Sequence, residues 1–200
     1  PIESIYVKTW HEGTGGAGDV EEWMTRAGKR RQWSHLEIDE VIVTFDGSSG
    51  WSGRDGKPRK LSAEEAAGQK SAALASTFAH LLPGHPSHRG QVLGDDASGK
   101  CHAVRVGPEK GKGALYHVDK ETGLPARVFL EFPSMTITLE FLEWKEVDGV
   151  KLPFKTRLTS PEGYDARETL KEARFNVPMQ AWLFERPPPP PDAHKIGHRG

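Results

Sequence analysis

Two hundred residues with a formal net charge of -1, 28% of them charged and 36% hydrophobic, suffice for one sizeable core and set up no overall field that recruits nucleic acid or an anionic membrane. No run approaches the roughly 18 consecutive apolar residues of a spanning helix, and a single cysteine, Cys101, excludes an internal disulfide. The chain starts at Pro1 rather than a methionine, as a mature or excised chain does, so the lack of a leader says nothing about its destination.

The opening segments read as short antiparallel strands. Ile5 to Trp10, Val20 to Ala27 and Arg30 to Ile38 are divided by the turn-forming stretch Gly13-Thr14-Gly15-Gly16-Ala17-Gly18 and by Gly28. In "VIVTFDGSSGW", Val41, Val43 and Phe45 share one face before Asp46-Gly47 reverses the chain. After Asp55-Gly56 the period changes. Ser62-Ala63-Glu64-Glu65 is a capping box, in which the serine hydroxyl accepts from a first-turn amide and the glutamate returns a bond. It opens a helix to Leu82, with a lightly built stripe of Ala67, Ser71, Leu74, Phe78 and Leu81, ended by Pro83-Gly84.

Strand periodicity then resumes over Cys101 to Val106, Ala114 to Asp119, Pro125 to Phe132, Met135 to Val147, Val150 to Thr159 and Tyr164 to Phe175. Val128, Leu130 and Phe132 alternate with Arg127 and Glu131, and Ile137, Leu139 and Phe141 with Thr136, Thr138 and Glu140, so one sheet face is apolar and the other wet. Val177 to Phe184 reads as a short closing turn or helix, and five prolines, 187 to 191, cannot pair in a sheet. The expectation is an α+β domain over residues 1–186 and a Pro-rich linker or disordered tail over 187–200. Its centre is a curved antiparallel sheet of about 8 to 11 strands with one apolar helix against it.

Chemistry is sparse along this frame. Gly28-Lys29-Arg30-Arg31 lies between Trp23 and Trp33, but Glu21, Glu22, Glu37, Asp39 and Glu40 offset it. It reads as a turn and the solvated face of a strand, with no nucleic-acid partner. His80, His85, His88 and His102 lack the paired spacing of a metal site, and Cys101 and His102, adjacent on a strand, point to opposite faces. "GTGGAG" lacks the lysine of a phosphate loop, and "DGSSGW" and "DDASGK" read as hairpin turns. The pairs Glu64-Glu65 and Asp95-Asp96 are accounted for by a helix start and a loop. No catalytic residue, metal ligand or cofactor is expected.

Three segments together carry a resemblance. They are "EWMTRAGKRRQW"; "VTFDGSSGW" followed by "GKPRKLSAEE"; and "YHVDKETGLPARVFLEF" followed by "FLEWKEVDGVKLPFKTRL". Over roughly residues 3 to 186 the sequence resembles the LolA/LolB-like family of periplasmic lipoprotein carriers. The resemblance implies a strongly curved antiparallel sheet, an unclosed β-barrel with the helix plugging its concave face, that carries acyl chains across the periplasm. The long helix preceding the first strand in that family has no counterpart within these residues, and its ligand-gating arginine maps onto no particular arginine here. The function expected is a non-catalytic periplasmic or cell-envelope binding domain for a lipid or lipoprotein acyl chain. Trp23, Trp33, Phe45, Trp51, Phe78, Leu81, Leu130, Leu139 and Phe141 are the residues expected to line its apolar cleft. Two alternatives remain: a sensor or scaffold module that holds a segment of an envelope protein, with the proline run as spacer, and a histidine-dependent metalloenzyme.

Overall fold

A computed structural model describes residues 2–54, 57–76, 90–106, 114–132 and 135–187. In chain order the elements are β1 (Ser4–Gly13), β2 (Gly16–Thr25), β3 (Arg30–Leu36), β4 (Asp39–Phe45), β5 (Gly50–Arg54), β6 (Lys57–Lys60), α1 (Ala63–Ser76), β7 (Gly90–Asp95), β8 (Cys101–Val106), β9 (Ala114–Asp119), β10 (Pro125–Glu131), β11 (Thr136–Val147), β12 (Val150–Thr159) and β13 (Asp165–Phe175). A single 3-10 turn follows at Ala181–Phe184. All the strands pair antiparallel in one sheet of order β6-β5-β4-β3-β2-β1-β13-β12-β11-β10-β9-β8-β7. Two meanders, one on each side of the helix in sequence, are joined where β1 pairs with β13.

The thirteen strands exceed the eight to eleven expected because β5, β6 and β7 carry no readable alternation. "GWSGR", "KPRK" and "GQVLGD" are held in the sheet by their neighbours and turns rather than by their own pattern. Turn chemistry does the local work. Asp46 Oδ1 accepts from the Ser48 and Ser49 amides at 2.8 Å each. Asp148 and Gly149 take φ of 49° and 78°, the two left-handed positions of a tight hairpin turn between β11 and β12.

Helix contacts show how the sheet bends. α1 touches β3 and β4 on one side and β10 on the other. In the strand order β3 and β10 are six steps apart, which in a flat sheet is about 29 Å at ~4.8 Å per step, whereas a helix is only about 10 Å across. The sheet therefore curls around the helix, and its edge strands β6 and β7 remain unpaired with each other. Glu65 accepts the Ser62 amide at 2.8 Å and donates its own amide to Ser62 Oγ at 3.2 Å, the capping box read from the sequence. Arg59 of β6 forks onto the same carboxylate at 2.6 and 2.9 Å, fastening the helix start to the sheet edge.

The buried side of α1 is not the stripe expected. Ala66, Ala72, Ala73 and Ala75 are buried, whereas Ala67 is exposed and Ser71 half-buried. Alanine-rich helices give a weak phase signal, because no bulky side chain marks the inward face. Phe78 and Leu81 lie outside the described residues, as do His80, His85, His88 and residues 188–200.

Arg30 and Arg31 overturn the solvated reading of the basic patch: they are 8% and 7% exposed. Adjacent strand residues point to opposite faces, and here both faces are covered. Arg30 lies under α1, where Nη1 donates to Gln69 Oε1 at 2.7 Å. Arg31 lies on the convex side under the chain that follows β13, where Nη1 donates to the Leu183 carbonyl at 3.3 Å. The guanidinium of Arg31 also sits 5.7 Å from the Trp23 ring and 5.9 Å from that of Trp182. Leu183, Phe184 and Pro187 are buried against this face.

Candidate ligand-binding cleft

Between the helix and the middle of the sheet the two layers do not meet. Six consecutive strands, β2-β1-β13-β12-β11-β10, form the wall of a cleft, and Ala75 of α1 is the helix residue that lines it among the described residues. Its cavity volume is about 100 Å³, set within about 660 Å³ of atom-free space when the open mouth is included.

The floor follows the strand registers. Ile5 and Val7 of β1 stand with Met24 of β2 and Leu170 of β13, and Val128 of β10 with Leu139 and Phe141 of β11 and Leu152 of β12. Ile5 opposes Met24 and Val128 opposes Leu139, so apolar contact crosses these strand boundaries, while Phe141 opposes Thr156. Two hydrophobic clusters meet there, one around Ile5, Met24 and Leu152 and the other around Ala75, Tyr116, Val128 and Leu130.

Polar side chains interrupt this wall at two places. Glu22 on β2 forms an ion pair with Arg30, which also donates to Gln32 at 3.0 Å. Through its bond to Gln69 the same guanidinium ties the helix to the sheet beside the cleft. At the second place Glu168 accepts from Nδ1 of His11 at 3.3 Å, while Nε2 of His11 lies 3.1 Å from the Thr14 carbonyl. Both partners only accept, so the two bonds together require both ring N–H groups, that is, an imidazolium. The bond to Glu168 raises the His11 pKa above its ordinary value, outweighing burial. Tyr164 closes over this pair, ring centroid 6.4 Å from the imidazole. Burial, with the Glu168 charge second, pushes its phenol up to about 12.

Of the residues expected in the cleft, Leu139 and Phe141 line it, and Leu130 is buried in the adjoining cluster. Phe45 is buried on the concave face of β4 but is not part of the lining. Trp23 and Trp51 sit on the convex side, in a cross-strand row that runs Trp23, Arg31, Thr44, Trp51. Trp33 is on that side too, its indole donating to Glu40 at 2.7 Å. Tryptophan content thus pointed to the opposite face, where the chain after β13 covers Arg31 and Thr44. Ile5, Val7, Met24, Val128, Leu152 and Leu170 were missed as a group. Their alternation is present in the sequence, but the β1–β13 pairing that brings them together spans the whole chain.

Other chemistry is thin. Among the described residues no group of three or more His, Cys, Asp or Glu side chains could hold a metal ion, and no helix is long and apolar enough to cross a membrane. His102 pairs with Asp95 at 3.1 Å on the surface. The Cys101 thiol is buried, and burial, with Asp96 and Asp119 nearby, pushes its pKa up.

An open antiparallel sheet curled around one helix, with an apolar floor, is the LolA-like half-barrel fold. No family model matches the sequence, and no curated protein does. Solved structures do. A LolA superfamily protein from Nitrosomonas europaea superposes with a TM-score of 0.59 at 10% identity, covering 92% of this chain and 90% of that one. A DUF1329 family protein from Desulfovibrio piger gives 0.56 at 14% identity over 92% and 90%. A domain assigned to outer-membrane lipoprotein sorting in Vibrio parahaemolyticus gives 0.55 at 10% identity over 91% and 89%. At these identities the likeness is one of fold.

Proposed function

We propose that this protein is a non-catalytic carrier of the periplasm or cell envelope that holds the apolar chain of a lipid or lipoprotein between its curved sheet and α1. The observation that carries the reading is the cleft itself: a mainly apolar floor drawn from six strands, with Ala75 of α1 over it. A fold shared with a domain assigned to lipoprotein sorting supports it. Transfer of an acyl chain into such a space contributes roughly 0.8 kcal/mol per methylene removed from water. The bonds of Gln69 to Arg30 and of Glu65 to Arg59 hold the helix over the floor, so loading and release are gated by how readily these polar ties open.

The test uses N-phenyl-1-naphthylamine, a neutral apolar dye whose fluorescence rises on leaving water. It should bind saturably and be displaced by phospholipid. Ala75→Phe, which extends the helix face into the cleft, should weaken dye binding at least tenfold at a packing cost of about 1–3 kcal/mol. A folded Ala75→Phe protein that binds the dye as tightly as the parent would place the site elsewhere, and absence of dye binding to the parent would end the carrier reading.

A further inference from the structure

The polar end of the cleft carries a specificity that the apolar floor does not. Thr9, Thr156 and Glu168 all line the cleft. Thr156 stands directly opposite Glu168 across the β12–β13 pair, and Thr9 opposes Leu170, one step diagonal from Glu168 across β1–β13. Direct and diagonal cross-strand neighbours lie within about 5 and 8 Å of one another, so the three form one cluster on the floor. The Glu168 side chain is 21% exposed, and His11 engages only its Oε1. Among the described residues neither the other carboxylate oxygen nor the hydroxyls of Thr9 and Thr156 make a hydrogen bond. These half-buried oxygens are open to water, and a ligand that displaces that water has to bring donors of its own.

Charge narrows the choice. Among the described residues Glu22 and Glu168 are the ionisable side chains of the cleft wall, and the cations that balance them, Arg30 and His11, are not part of the lining. A ligand in the cleft therefore meets carboxylate oxygens, not guanidinium or imidazolium. With His11 doubly bonded behind it, Glu168 is already charge-balanced, so no positive head is required and an anionic one finds no counter-charge among the described residues.

Resting on the carrier reading above, we infer that the cleft selects a single-chain amphiphile with an uncharged, hydroxyl-bearing head of the monoacylglycerol kind, the hydroxyls donating to Glu168 and to the threonines beside it. The apolar tail then lies along the Val7, Met24, Leu139 and Leu170 floor.

Competition against N-phenyl-1-naphthylamine at neutral pH with three ligands of equal chain length tests this: 1-monolauroylglycerol, methyl laurate and laurate. The glyceryl ligand should displace the dye at least tenfold more effectively than the ester, which accepts but does not donate, and than the carboxylate. That ratio, measured within each variant, should collapse toward one in Glu168→Gln and in Thr156→Val. Thr156→Val leaves the His11 pair intact, so it informs even if Glu168→Gln unfolds. Equal displacement by all three, or preference for laurate, overturns the head-group inference while leaving the carrier reading standing. Failure of all three to displace a bound dye overturns both.

Discussion

Arg30 is the residue whose removal reports most directly on how the helix is held. Its side chain is 9% exposed and forms the ion pair with Glu22, itself 16% exposed, and it reaches across to Gln69 of α1 at 2.7 Å. Arg30→Met keeps the aliphatic volume but strands the Glu22 carboxylate against the apolar floor. Breaking a buried pair from one side costs about 3 to 5 kcal/mol, and the residual exposure of Glu22 places the value near the lower end, about 3 kcal/mol. With a urea m-value of about 2 kcal/mol/M, the unfolding midpoint should fall by about 1.5 M. The companion Arg30→Met/Glu22→Leu removes both charges and should recover most of the loss, because Arg30 Nε is already buried without a partner and the network is not fully satisfied. Amide exchange along α1 should quicken in the single variant, since the tie to Gln69 is lost in it. A single variant whose midpoint stays within about 0.3 M of the parent, or a double variant less stable than the single one, would refute the latch.

Three further outcomes follow from local geometry. Ser62→Ala removes the cap of α1 and should cost about 0.5 to 2 kcal/mol in urea unfolding; an unchanged midpoint would show that Arg59 alone anchors the helix start. The bond from Arg59, then that from the Ser62 amide, holds the Glu65 carboxyl at about 2, below its ordinary 4.5. A depressed carboxylate stabilises above its unfolded pKa and loses that contribution as pH falls through the folded one. The gap between parent and Glu65→Gln midpoints should therefore close between pH 4.5 and about 2, and a gap constant over that window would contradict it. His11 has the opposite sign. Its raised pKa makes its contribution complete below the ordinary 6.5 and lost as pH rises through the folded value. The melting temperature should drop over that rise in the parent and not in His11→Gln, and an NMR titration placing His11 at or below 6.5 would refute the imidazolium pairing.

Local features were legible without coordinates. The Ser62–Glu65 capping box, the Asp46-Gly47 turn and the alternation of Val128, Leu130, Leu139 and Phe141 all appear in the structure as read. Each depends on residues within a few positions of one another, where φ/ψ preference and hydrogen-bonding reach decide the outcome. The curved antiparallel sheet followed from their number and spacing.

The sequence by itself therefore determined what each short segment would become, and that one sheet face would be apolar. Only the tertiary structure decided which face that was on β2 to β5, because residues 177–187 return over the convex side and bury Arg31 and Thr44 there. Only it decided that Ile5, Met24, Leu152 and Leu170 share one floor, because β1 meets β13 across nearly the full length of the chain. The inward phase of α1, on Ala66 and Ala73 rather than Ala67, was likewise settled by what it packs against. Strand pairing and layer packing are contacts between residues remote in sequence, and no local pattern encodes their partner.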